Sequence, residues 1–142
     1  MELTNFTVIG IWNRPNNSYL DWLRSGIKKY EGRTADKIVK WHLHLDKIIK
    51  FVNNENEDDF LYVRIVDFLY YDDFGKAYDD LGAELIPNSA TTINQIEYTN
   101  RSRDEVIAMY NSFYDNRRYP AGETCPFIRN KGAVAIKVEL IQ

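Results

Sequence analysis

Polar and apolar residues alternate most cleanly near the end of the chain. There Val134, Ile136, Val138 and Leu140 fall on one face, with Lys137 and Glu139 on the other. A period of two predicts a strand over 133–141 with one buried face. Phe6 to Trp12 reads as another strand, stopped by Arg14-Pro15. Residues 60–71 are the most strand-like stretch, with aromatic and β-branched side chains on both faces, so cover on both sides is expected. A strand over 46–52 precedes it, and the acidic stretch between them, containing Glu55-Asn56-Glu57-Asp58-Asp59, reads as a solvated hairpin tip.

Helical spacing takes over elsewhere. Leu20 and Leu23 share one side of a short helix that Ser18 can cap and Gly26 can end. Residues 72–81 return to helical spacing and stop at Gly82. Ser102-x-x-Glu105 is a capping box, and Val106, Met109, Tyr110 and Phe113 follow it at helical intervals. Tyr30 to Thr34 reads as extended, 83–100 is ambiguous around Pro87, and 116–130 reads as a loop. Strands with two or three short helices predict an α+β fold, a small barrel or strongly curved sheet with helices across one opening.

Composition narrows the class. With 142 residues, 44% hydrophobic and 27% charged, the chain suits one domain over 1–142 that buries roughly two-thirds of its unfolded surface. Its aromatic content of 14% argues against disorder. Its apolar runs fall well short of the ~20 residues that cross a bilayer. Met1-Glu2-Leu3-Thr4-Asn5 lacks the positive flank and apolar block of a secretory signal. Cys125 stands alone, which fits a reducing compartment. The expectation is a soluble, intracellular protein with no membrane partner.

Net charge is −3, yet residues 14–50 hold nine Lys or Arg against four acids, while 51–142 hold nine against sixteen. This asymmetry suggests a polarised face suited to an anionic ligand. The basic part contains Gly26-x-Lys28-x-x-Glu31-x-Arg33, which ends a helix and opens a strand. On that strand Glu31 and Arg33 share one face and Tyr30 and Gly32 the other, with Lys28 at the entrance, near a mouth rather than deep in a core. A guanidinium, an ammonium and a carboxylate together can hold phosphate or the polar edge of a base. A plain surface salt bridge is the competing reading.

The motif from Leu20 to Arg33 resembles the opening motif of the ASCH family (activating signal cointegrator homology), Gly-x-Lys-x-x-Glu-x-Arg. Asp46 to Phe51 resembles the family's Gly-Asp turn and following strand, with Leu45 in place of the usual Gly. Tyr62 to Asp67 and Tyr71 to Phe74 resemble its strand entering an aromatic-capped helix, and Leu85-Ile86-Pro87 its Leu-x-Pro break. Val106 to Tyr114 is similar to its helix ending in Phe-Tyr, and Gly132 to Ile136 to its closing strand. These signals occur in family order over about residues 12–141.

The resemblance implies a PUA-like β-barrel with a cleft at the motif, and binding of RNA or a modified nucleotide by Lys28, Lys29, Glu31 and Arg33. Tyr30 and Trp12 are candidate stacking residues, and Arg117 and Arg118 candidate phosphate contacts. Two enzymatic alternatives come with the family. Members that hydrolyse 4-acetylcytidine use the motif Lys, a Thr three positions later and a downstream Glu. Here Lys28 matches, Glu31 replaces the Thr, and Glu84 is the nearest downstream candidate. Because Glu31 would raise the pKa of Lys28, this departure opposes its use as a base. A ribonuclease would use Lys28 and Arg33 with Glu31 as base. A protein-interaction module of the same fold is a further alternative.

No cofactor is implied. His42 and His44 would share a strand face, but no third ligand accompanies them, so no metal is expected. Cys125, in a segment read as an exposed loop, has no histidine partner and reads as an inert thiol.

Overall fold

The computed structural model describes residues 5–14, 17–87 and 101–141. The element order is β1 (Phe6–Ile11), β2 (Asn13–Arg14), β3 (Asn17–Ser18), α1 (Tyr19–Ser25), β4 (Tyr30–Thr34), α2 (Asp36–Lys40), β5 (Ile48–Asn53), β6 (Asn56–Tyr71), α3 (Phe74–Leu81), α4 (Arg103–Tyr114), α5 (Pro126–Lys131) and β7 (Ala133–Leu140). Five strands form one sheet in the order β1-β5-β6-β7-β4, and β2 and β3 form a small ribbon. β1 runs parallel to β5, and the other pairs in the large sheet are antiparallel.

The sheet curls because β6 serves two neighbours. Its first half pairs with β5, and from Val63 onward it pairs with β7. The register slips between Ile65 and Asp67, where Val66 is the extra residue of a bulge. A bulge bends the strand and increases its twist. The result is a curled half-barrel with β1 and β4 as its two edges.

Ile9, Ile11, Ile49, Phe51, Leu61, Val63, Ile65, Val134, Ile136 and Val138 join the core, which α1 supplements with Leu20, Trp22 and Leu23. β7 does not keep the expected single buried face. Ala133 and Ala135 are buried as fully as Val134 and Ile136, because helices cover the other side of the sheet there. The ring of Phe74 on α3 stacks on Tyr110 of α4 at 3.8 Å, and both press against Gly32 of β4. A Cβ on Gly32 would stand 2.7 Å from the Tyr110 hydroxyl, which is why glycine occupies the edge strand at this point.

Several expectations change. Residues 36–40 form α2, and His42 and His44 follow it in the turn and irregular segment before β5 instead of sharing a strand face. A short apolar segment gives too little period to separate the two cases. Cys125 is buried, not exposed, and its amide donates to the Asn111 side chain. Within 116–130, Pro126 starts α5, since proline's fixed φ suits a first helical position. Ser18 occupies the N-cap of α1, but its side chain makes no cap bond. The capping box at Ser102 and Glu105 forms with both reciprocal hydrogen bonds. The ambiguous residues 88–100 lie outside the described segments.

Candidate functional site

The helix-to-strand segment builds the site. α1 ends at Gly26, whose φ of 82° is the left-handed conformation glycine adopts freely. The Lys28 amide then donates to Trp22 O, turning the chain beneath α1 and into β4. This turn carries the Lys28 side chain inward. Lys28 is 2% exposed, so the expected position near a mouth is corrected. Its Nζ donates to Leu85 O at 2.5 Å, lies 3.6 Å from Glu31 Oε1 and sits 5.9 Å from the centroid of the Tyr19 ring. The other Glu31 oxygen, Oε2, accepts from an Arg33 amino nitrogen at 3.0 Å.

Lys28, Glu31 and Arg33 thus form a row in which one carboxylate lies between two cations. Burial pushes the Lys28 ammonium below the ordinary lysine range, although Glu31 pulls it back up and Arg33 pushes it further down. The sign anticipated from Glu31 alone is therefore outweighed by desolvation. For Arg33, burial opposes the charge, but the Glu31 carboxylate more than offsets it. Burial also raises the Tyr19, Tyr110 and Tyr114 hydroxyls, which stay neutral near pH 7.

A cavity of about 360 Å³ opens beside this row. It lies at the seam between the two edge strands. Gly10, Ile11 and Trp12 line it from the β1 side, and Glu31, Gly32 and Arg33 from β4. α4 contributes Met109, Tyr110, Phe113 and Tyr114 to one wall, while Lys37 and Trp41 come from α2 and its end. The Tyr114 hydroxyl accepts from the Thr34 amide at 3.2 Å, tying that wall to the strand. Its volume, aromatic walls and few charged groups suit a flat, polar-edged molecule the size of a nucleoside. Glu31 can accept from such an edge, Arg33 can donate to it, and Trp12, 40% exposed, offers ring surface.

The predicted residues separate into distinct places. Glu31 and Arg33 line the cavity and Trp12 joins them. Lys28 lies behind Glu31 and does not line the cavity. Lys29 points elsewhere, with Nζ 3.2 Å from Glu84 Oε2. Tyr30 is buried on the opposite face of β4, beside Lys137. Arg117 and Arg118 border a second cavity on the far side of α4, and Arg117 is paired with Asp115.

Lys37, Trp41, Asn54 and the aromatic residues of α4 are cavity groups that the sequence did not single out for this role. The one legible signal was Lys37-x-x-x-Trp41, the spacing that aligns two side chains on a helix. Among the described residues, no helix is long and apolar enough to cross a membrane.

The fold and cavity define a mixed α+β protein with a ligand-sized opening at the seam of a half-barrel. No family model and no curated protein matches the chain. Its fold is similar to the crystal structure of hypothetical protein PH0355, with a TM-score of 0.66 and 22% identity over 94% of this chain and 97% of that one. It is also similar to the solution NMR structure of protein PF0455 from Pyrococcus furiosus, with a TM-score of 0.63 and 21% identity over 96% of this chain and 97% of that one. At these identities the likeness concerns the fold alone.

Proposed function

We propose that the protein is an ASCH-like, PUA-like module that binds RNA or a modified nucleotide in the seam cavity. The observation that carries this reading is the Glu31–Arg33 pair lining an aromatic-walled cavity of nucleoside size. A base entering there meets one acceptor and one donor side by side, the complement of a nucleobase edge. Lys28 acts behind the contact, holding Glu31 in place from the buried side.

The hydrolase reading, on 4-acetylcytidine or on RNA, has weaker support. On 4-acetylcytidine its proposed base, the Lys28 Nζ, is engaged by Leu85 O and stands behind Glu31 instead of facing the cavity, and on RNA the same placement withdraws Lys28 as a cation for the phosphate.

The test is a titration of labelled single-stranded RNA, with and without 4-acetylcytidine, against wild type and Arg33→Ala. Recovered RNA and released nucleosides are then analysed. Binding that weakens at least tenfold in a folded Arg33→Ala variant, with intact RNA recovered, is the expected result. Product formation would make the protein a hydrolase, and unchanged affinity would remove Arg33 from the site.

A further inference from the structure

The cavity holds more positive charge than its own carboxylate balances. Among the described residues, those that line it and carry charge are Glu31, Arg33 and Lys37. Glu31 is already engaged by Arg33 and by the buried Lys28. Lys37 has no ion pair among the described residues, and the adjacent Asp36 neither lines the cavity nor pairs with it. Instead the Lys37 Nζ lies 5.6 Å from the centroid of the Trp41 ring. The Arg33 guanidinium carbon lies at the same distance from that ring. Two cations therefore gather at one indole, and among the described residues the Arg33 charge alone is paired with a carboxylate.

Placement gives this surplus a direction. On β4 the Arg33 charge is already engaged by Glu31, while Lys37, a partly exposed residue of α2, offers a charge with no carboxylate partner among the described residues. A ligand with a base at one end and a phosphate at the other fits in one orientation, with N–H groups toward Glu31 and the anion toward Lys37. We propose that the ligand is a nucleotide rather than a nucleoside, and that Lys37 is the specificity residue that receives its phosphate. This rests on the nucleotide-binding reading above. The phosphate is either a free 5′-monophosphate or a phosphodiester of single-stranded RNA.

Isothermal titration at low salt would compare the four ribonucleosides, their 5′-monophosphates and short single-stranded oligoribonucleotides. The proteins would be wild type, Lys37→Ala and Lys37→Arg. The expected result is that phosphate improves affinity about tenfold or more, that Lys37→Ala abolishes this advantage and that Lys37→Arg retains it. A larger Lys37-dependent gain for the monophosphates assigns a free nucleotide, and a larger gain for the oligonucleotides assigns RNA. Equal affinity for nucleoside and monophosphate in wild type, or an advantage that survives Lys37→Ala, overturns the assignment of Lys37 and leaves the base-binding reading standing. Absence of binding by every probe overturns both.

Discussion

Replacing Lys28 by Met tests the interior of the site without entering the cavity. Methionine nearly matches the volume of the lysine stem but removes the ammonium. Two opposing terms follow. The hydrogen bond to Leu85 O disappears, along with the contact to Glu31; a hydrogen bond from a charged group is worth about 1.5–3 kcal/mol. Against this, a buried ammonium no longer has to be desolvated. Arg33 still pairs with Glu31, so the carboxylate keeps one partner. The net expectation is a loss of about 1–2 kcal/mol near pH 7.

The pH dependence gives a sharper criterion. Burial lowers the Lys28 pKa in the folded state, while the unfolded chain keeps the ordinary value. Between those two values the unfolded state binds more protons, so wild-type stability rises with pH by up to about 1.4 kcal/mol per unit. The penalty for burying the charge is fully present below the folded pKa and is relieved above it. Lys28→Met lacks this contribution. The stability gap between the two proteins should therefore widen as pH rises. Urea unfolding at intervals from pH 7 to about 9.5 measures the gap, the upper limit set by tyrosines that ionise near 10 when unfolded. A gap that stays constant or narrows would refute the reasoning about Lys28.

Two further perturbations probe the walls. Gly32→Ala places a methyl group 2.7 Å from the Tyr110 hydroxyl and 3.1 Å from a Phe74 ring carbon. It should cost about 1–3 kcal/mol and displace a cavity wall, and an unchanged thermal midpoint would contradict the packing described. Ser102→Ala removes the cap bond to the Glu105 amide and should lower stability by about 0.5–2 kcal/mol in urea unfolding. A loss below that range would mean the box does not hold the start of α4.

Local patterns revealed the elements better than they revealed the site. The capping box at Ser102, the glycine stop at Gly26 and the extended run from Tyr30 to Thr34 all form, because each depends on neighbours within a turn. The curl of the sheet was legible only as a tendency, since it depends on the two partners of β6 and on the bulge at Val66. The cavity depends on that curl. It joins Gly10 to Arg33 across a seam and adds Lys37, Trp41 and α4, groups that no single period connects. Lys28 looked like a surface residue because lysine usually is one; the turn after Gly26 buries it. Tyr30 and Lys29, each next to a residue of the Lys28–Glu31–Arg33 row, leave the site through the alternation of side chains near and along β4.

The most direct test of the seam cavity is amide and indole chemical-shift mapping of the ¹⁵N-labelled protein during titration with short single-stranded RNA. Shifts should concentrate at Gly10 to Trp12, Gly32, Arg33, Lys37 and the Trp41 indole, and should vanish in Arg33→Ala. Shifts that bypass these residues, or that persist undiminished in Arg33→Ala, would contradict binding in the cavity.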